Sequence, residues 1–206
     1  MRIYLVRHGE SEGNALRLHQ TKTTALSDIG KYQAALVGKR FEKIPVETII
    51  ASDYDRTFQT ASIINSHINK PLESSALFRE LKRPTEVEGK HENDPLVMNI
   101  KQTIRAHRED STWHYSDEEN FYDFNLRARS ALRFLTERHE QRILVVSHGL
   151  FLNMILSTII FGDNLNPSLF EQMYHQLHQK NTGITILEYD HATWSILTWN
   201  DHAHLD

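Results

Sequence analysis

Three polar clusters in this chain each follow a short apolar run. Arg7-His8-Gly9 follows Ile3-Tyr4-Leu5-Val6, Ser52-Asp53-Tyr54-Asp55-Arg56 follows Thr48-Ile49-Ile50-Ala51, and Ser147-His148-Gly149 follows Ile143-Leu144-Val145-Val146. Two imidazoles and two guanidiniums at such places suit a phosphoryl group. A guanidinium donates paired N–H bonds to phosphate oxygens in a geometry that lysine cannot copy. An imidazole attacks phosphorus when its attacking nitrogen is unprotonated and the other ring nitrogen donates to a fixed acceptor, usually a backbone carbonyl. One Arg-His-Gly alone is weak, since a histidine after a strand is commonly a surface residue. The weight comes from the same strand-end position recurring in three places.

For the clusters to meet, their strands must lie side by side with their carboxyl ends together, the edge where open parallel sheets bind ligands. The pattern around them agrees. Residues 1–6, 47–52 and 142–147 read as buried strands, the last a continuous apolar run typical of a sheet covered on both faces. Between and after them come helical patterns. Ser27 caps one carrying Ile29, Ala35, Leu36 and Phe41 toward the core, and Asp53 caps another carrying Phe58, Ala61, Ile64 and Ile68. Asp94-Pro95 starts a helix with Leu96, Ile100 and Ile104, and a longer one shows Phe121, Phe124, Ala128, Ala131, Leu132 and Leu135 on one face. Leu150 to Phe161 is apolar all round, Asn166-Pro167 opens a further helix, and "GITILEYD" and "TWSILTWN" close the chain as two strands. This alternation predicts an α/β fold, a three-layer α/β/α sandwich with a mainly parallel central sheet. The expected organisation is a single domain over 1–206 with a cap segment inserted at about 81–120, where "KRPTEVEGKHENDP" interrupts the rhythm with Pro84, Gly89 and Pro95.

Composition narrows the function. With 23 basic and 27 acidic side chains, the formal charge of −4 argues against a general nucleic-acid or membrane-surface binder. No cysteine is present, so thiolate catalysis, disulfides and Cys-ligated zinc are excluded. The N-terminus offers no signal-peptide pattern, and the run 150–161 is too short to span a bilayer, which predicts a soluble, cytoplasmic protein. His175 and His178 stand three apart without an acidic partner at matching spacing, and His202 and His204 read as a solvated tail, so no metal site is assigned. "DEEN" at 117–120 reads as an acidic helix start.

Taken in order, "LVRHGESEGN" (5–14), "SDYDRTFQTA" (52–61), "RELKRPTEVEG" (79–89) and "VVSHG" (145–149) resemble the histidine phosphatase superfamily, often named after phosphoglycerate mutase. The resemblance covers nearly the whole chain. It implies that His8 is the nucleophile that becomes phosphohistidine, and that Arg7, Arg56 and His148 form the phosphate pocket. It further implies that Glu80 protonates the leaving group, and that Asn14 and Gly149 contact substrate. "NTGIT" at 181–185 fits a family segment before the closing strands. Gly9 would let a phosphate approach the backbone. No metal or other cofactor is implied, because the arginines and His148 supply the positive charge, and the partner implied is a small phosphorylated molecule.

Two departures from the family pattern matter. The run after Glu80 is one residue longer than is common, carries Pro84 and lacks a tryptophan, so Glu86 and Glu88 stay open as rival acids. The segment "QTKTTALSD" at 20–28 replaces a usual Gly-x-x-Asp, leaving Lys22 and Thr23 as substrate contacts or plain surface. Lys82, Arg83 and Lys90 could read an anionic substrate or form a solvated face. The mutase segment Glu-Arg-His-Tyr-Gly is missing, which favours a phosphatase over a mutase. A phosphate-binding protein without catalysis is the third reading. Neither the substrate nor the oligomeric state is legible in the residue pattern.

Overall fold

The computed structural model describes residues 1–205. Within them six strands form one mixed sheet: β1 (Arg2–Arg7), β2 (Thr48–Ala51), β3 (Leu72–Ser74), β4 (Arg142–Ser147), β5 (Ile184–Asp190) and β6 (Thr193–Asp201), in the order β3-β2-β4-β1-β5-β6. The first four in that order run parallel, while β5 is antiparallel to β1 and β6 to β5. Helices α1 (Glu12–Ala15) and α2 (Asp28–Phe41) link β1 to β2, and α3 (Asp55–Ile68) links β2 to β3. Helices α4 (Pro95–Ala106) and α5 (Phe121–Thr136) precede β4, and α6 (Gly149–Phe161) and α7 (Pro167–Gln176) follow it.

Alternation along the strands splits the core in two, because successive side chains point to opposite faces. Ile3, Leu5, Ile50, Ile143 and Val145 pack with Phe124, Ala128, Ala131, Leu135, Phe151 and Ile155 of α5 and α6. Tyr4, Val6, Ile49, Ala51, Leu144 and Val146 pack with Val37, Phe41, Ala61 and Ile64 of α2 and α3. The α/β/α layering expected from the sequence is therefore the architecture observed. No helix of the described residues is long and apolar enough to cross a membrane.

Helix starts mostly fall where short polar side chains can satisfy free N–H groups. Ser27 accepts from Gly30 N at 3.0 Å, Asp94 from Leu96 N at 2.8 Å and Asn166 from Leu169 N at 3.0 Å. Helix α3 differs from expectation. Tyr54, not Asp53, is its N-cap residue. The Asp53 carboxylate instead takes both Arg79 Nε (2.6 Å) and Arg79 Nη2, with Lys22 at 3.1 Å. Two cations outcompete a neutral helix end, and they hold the Asp53 pKa down at about 2, the Arg79 hydrogen bond being the largest cause.

The buried faces of α2 and α3 also differ. Ile29 is 59% and Phe58 44% exposed. The inward stripe of α2 runs instead through Gly30, Ala34, Val37, Gly38 and Phe41. Small residues lead that stripe because backbones touch there: a Cβ on Gly30 would lie 1.9 Å from Glu10 O, and one on Gly9 would lie 2.4 Å from Gly30 O. Gly9 thus admits the start of α2, a constraint that the sequence pattern did not mark.

Residues between 81 and 120 carry α4 and a small core of their own, Val87, Val97 and Ile100 with Ile104 and Tyr115 against them. This segment is tied to the chain after α1 by His19 N to Lys90 O (2.9 Å) and Gly89 N to His19 O (2.7 Å). The acids of "DEEN" serve it rather than a helix dipole. Asp117 accepts from Thr85 N and Oγ1, Glu118 from the N–H groups of Tyr115 and Ser116, and Glu119 from Arg127, while Asn120 caps α5. His202 and His204 are not a solvated tail either. The first lies 2.9 Å from Asn200 O through Nδ1, the second 3.0 Å from Thr182 Oγ1 through Nε2.

The Gly9–Gly30 contact sets a stability prediction. Gly30→Ala must displace backbone and is expected to cost about 2–4 kcal/mol. Gly38→Ala, where the obstructing atoms are the His67 ring, should cost clearly less because that side chain can swing aside. Urea denaturation reads both as shifts in midpoint at constant slope, and equal costs would refute the backbone-contact account.

Candidate active site

Strand register builds the site. Arg7 pairs with Ser147 across β1 and β4, and Ala51 with Val146 across β2 and β4. The next residues, His8, His148 and Ser52, therefore emerge together at the carboxyl edge. The His8 and His148 rings lie 5.2 Å apart, centre to centre, edge to face. His148 Nε2 is 2.9 Å from Ser52 Oγ.

His8 is held on every side. Its Nδ1 lies 2.6 Å from the carbonyl of Gly9. A carbonyl only accepts, so Nδ1 carries the hydrogen and the Nε2 lone pair is left toward the cavity that His8 lines. Gly9 N donates to Thr60 Oγ1 at 3.1 Å, and Asn181 Nδ2 donates to His8 O at 2.9 Å. Burial pushes the His8 pKa well below its ordinary 6.5, and Arg56 and Arg7 push it further. The ring is neutral at physiological pH. His148 is neutral for the same leading reason, burial, with Arg56, His8 and Arg7 adding to it.

The two arginines are fixed by backbone carbonyls. Arg7 Nη1 donates to Gln179 O at 2.5 Å, and Arg56 Nη1 to Thr21 O at 3.0 Å. Tyr54 lies under Arg56, ring centre 5.0 Å from the guanidinium carbon. Burial lowers the Arg56 pKa to about 10, so the group keeps its charge at neutral pH. Arg7 Nε, Arg56 Nε and His148 Nδ1 are all buried and meet no partner among the described residues. A buried polar group left unpaired costs about 1–3 kcal/mol, more when charged. Arg7 and Arg56 line one cavity with His8, and His148 packs against the His8 ring beside it, which together form a cradle whose chemistry matches an oxyanion. From the segment 20–28, Gln20 lines the cavity and Thr21 holds Arg56 through its carbonyl, while neither Lys22 nor Thr23 lines the wall.

Glu80 sits in the same cavity at the start of α6. The N-cap residue of that helix is His148, whose ring is turned to Ser52 and makes no cap bond. Glu80 fills that role from a distant part of the chain. It accepts from Leu150 N (3.2 Å), Phe151 N (3.0 Å) and its neighbour Leu81 N (3.0 Å). Of the rivals, Glu86 bonds Ser116 Oγ and does not line the cavity, whereas Glu88 does line it.

Arg127 holds the Glu80 segment in place and was not anticipated from sequence. Its Nε and Nη2 donate to both oxygens of Glu119 at 2.6 Å. Its remaining N–H groups reach the carbonyls of Leu77 (3.1 Å), Arg79 (2.7 Å) and Glu80 (3.1 Å). The guanidinium also lies over the Phe124 and Phe151 rings. The signal that could have found it is an arginine three residues after Phe124 on an otherwise apolar helix face.

The cavity holds about 300 Å³. Asn14 lines it, with its side chain shared between the α1 capping box and Asn181. Gly149 lines it too, and a Cβ there would stand 3.3 Å from Arg7 Nε. Of the basic loop residues, Lys82 and Arg83 reach the wall and Lys90 does not. Tyr174, Leu177 and His178 complete the wall from the end of α7 and beyond. No sequence pattern marked these as neighbours of His8. Among the described residues no group of three or more His, Cys, Asp or Glu side chains is placed to hold a metal ion.

Comparison with known proteins agrees with this geometry. The sequence model of the histidine phosphatase superfamily (branch 1) matches residues 3–202. A probable phosphoglycerate mutase, GpmB, of Enterobacter sp. is 31% identical over 216 residues, spanning all of this chain and 95% of that protein. The probable phosphoglycerate mutase GpmB of Salmonella arizonae is 29% identical with the same coverage. The structure of Bacillus stearothermophilus YhfR matches with a TM-score of 0.84 at 25% identity, over 100% of this chain and 99% of that one. A putative alpha-ribazole-5'-P phosphatase from Escherichia coli has the same fold, with a TM-score of 0.83 at 24% identity over 98% of this chain and 97% of its own. With the superfamily's sequence model matched over residues 3–202 and the fold shared end to end, the chain belongs to branch 1 of the histidine phosphatase superfamily.

Proposed function

We propose that this protein is a phosphatase that hydrolyses a small cytoplasmic phosphomonoester through a phosphohistidine on His8, without a metal. The observation that carries this reading is the fixed tautomer of His8 beside three buried, unpartnered donors. In the first step His8 Nε2 attacks phosphorus and the bond to the leaving oxygen breaks. Charge spreads over the three equatorial oxygens, where Arg7, Arg56 and His148 donate. Ser52 can donate to His148 Nε2, which leaves the His148 hydrogen on Nδ1, facing the cradle. An alkoxide is a poor leaving group, so Glu80 gives it a proton. In the second step water attacks the phosphohistidine, Glu80 takes a proton from that water, the P–N bond breaks and phosphate departs. Asn14 and Gly149 contact the phosphoryl group from the cavity wall.

The names of the GpmB relatives favour a second reading, a mutase in which the phosphoryl group returns to a sugar acid instead of water. Release of inorganic phosphate at the rate of alcohol formation separates the two, since a mutase releases little.

His8→Ala is expected to lower turnover by on the order of 10⁴ or more. Acid-quenched wild type should carry an acid-labile phosphoryl group that peptide mapping places on His8. Label on another residue rules out this nucleophile.

Glu80→Gln should slow alkyl phosphates by on the order of 10²–10⁴ and p-nitrophenyl phosphate by clearly less, because a phenolate leaves without an acid. Equal losses, with no burst of phenolate to indicate slow dephosphorylation, would exclude Glu80. The same comparison on Glu88→Gln tests the rival that lines the cavity.

Arg127→Met, combined with Glu119→Gln so that no buried acid is stranded, removes the clamp on the Glu80 segment without touching the cradle. It is expected to reproduce the alkyl-selective loss in weaker form, at a melting temperature still above that of the assay. An alkyl-to-aryl rate ratio equal to wild type would show that Arg127 serves stability alone.

A further inference from the structure

The cavity has basic groups on its outer wall that the chemistry above does not use. Lys82, in the run after Glu80, is paired with Asp117 at 3.1 Å. Arg83 beside it is half-buried, lines the cavity, and makes no hydrogen bond or ion pair with a described residue. His19 lines the same cavity. Its Nε2 is buried without a partner among the described residues, while its backbone is locked to Gly89 and Lys90. Burial is the main cause that depresses the His19 pKa to about 4, and the nearby charges of Arg83 and of Lys101 of α4 add to it. The acid among these groups, Glu92, is engaged with Arg17. Glu88 on the wall is exposed and bonds neither basic group.

The buried, unpaired Nε2 of His19 is costly to leave without a partner, and the half-buried guanidinium of Arg83 beside it keeps N–H groups free for an anion. Leu18, Leu81, Val87 and Leu150 lie on the same cavity wall and offer apolar surface. We infer that the leaving group of the substrate carries a second anionic group, a carboxylate or a phosphate, which Arg83 and His19 bind away from the His8 cradle. This rests on the phosphatase reading for the direction in which substrate lies. It also gives the unusual run Leu81-Lys82-Arg83-Pro84 a purpose, since Pro84 is buried and anchors the turn that carries Arg83.

Binding and turnover are measured separately, so the two readings fail separately. Non-hydrolysable alkyl phosphonates of increasing length, each ending in a carboxylate, a second phosphonate or a neutral primary amide, are titrated calorimetrically into the wild-type protein. At one length or more, an anionic end should bind about 10-fold or more tighter than the amide, as for a charge-assisted bond. That ratio should fall toward one in Arg83→Gln and decrease in His19→Gln. A carboxylate ligand preferred over the bisphosphonate identifies the source as an acid, and the reverse as a second phosphate. A ratio near one at every length, or one that survives Arg83→Gln, overturns the inference and leaves Arg83 a solvated loop residue. Hydrolysis of the corresponding phosphate esters is scored apart. A protein that discriminates the anions and turns over none of the esters would overturn the phosphatase reading and leave the anion subsite standing.

Discussion

The pairing of β1 with β4 is the constraint on which the rest of this site depends. It sets Arg7 beside Ser147 and so delivers His8 and His148 to the same edge within ring contact. A slip of one residue would turn both imidazoles to opposite faces, because strand side chains alternate. The register is protected by burial on both faces, since a one-residue slip would also exchange Ile3 and Leu5 with Tyr4 and Val6 between the two cores. The chemistry is thus tied to the packing of the whole sheet.

Electrostatics in the cavity follow from the same burial. Two guanidiniums are brought out of water and held mainly by carbonyl oxygens, which orient them without neutralising them. Burial first, and their field in addition, keeps both imidazoles neutral, and the same field favours an anion at the cradle. Glu80 enters this field as the cap of α6, so the helix start beside His148 and the carboxylate share a single set of bonds.

The segment between 81 and 120 contributes differently. It has a small core, is pinned to the chain after α1, and reaches the body through Arg127 and Glu119. The cradle lies at the carboxyl edge of the sheet, where strand register places it. Part of the outer wall, from Leu81 to Glu88, belongs to this segment, and the rest comes from the chain after α1 and from the end of α7.

Local sequence carried much of this. Apolar runs marked β1, β2 and β4, capping residues such as Ser27, Asp94 and Asn166 marked helix starts, and the strand-end positions of Arg7, His8, Arg56 and His148 predicted that they would converge. These are short-range signals, set by backbone hydrogen-bonding needs and by side-chain period. What depended on partners far along the chain was not legible. Asp53 left its helix for Arg79, Ile29 turned outward because α2 meets Gly9 and Glu10 through Gly30, and Phe58 of α3 also faces outward. The five-bond clamp of Arg127 and the cavity wall from Tyr174 to His178 likewise exist only once distant segments meet. The sequence by itself determined which polar groups would gather and on which edge. Only the tertiary structure decided what holds them and what surrounds them, because ion pairs, close backbone approaches and cavity walls are made between residues whose separation along the chain carries no periodic signal.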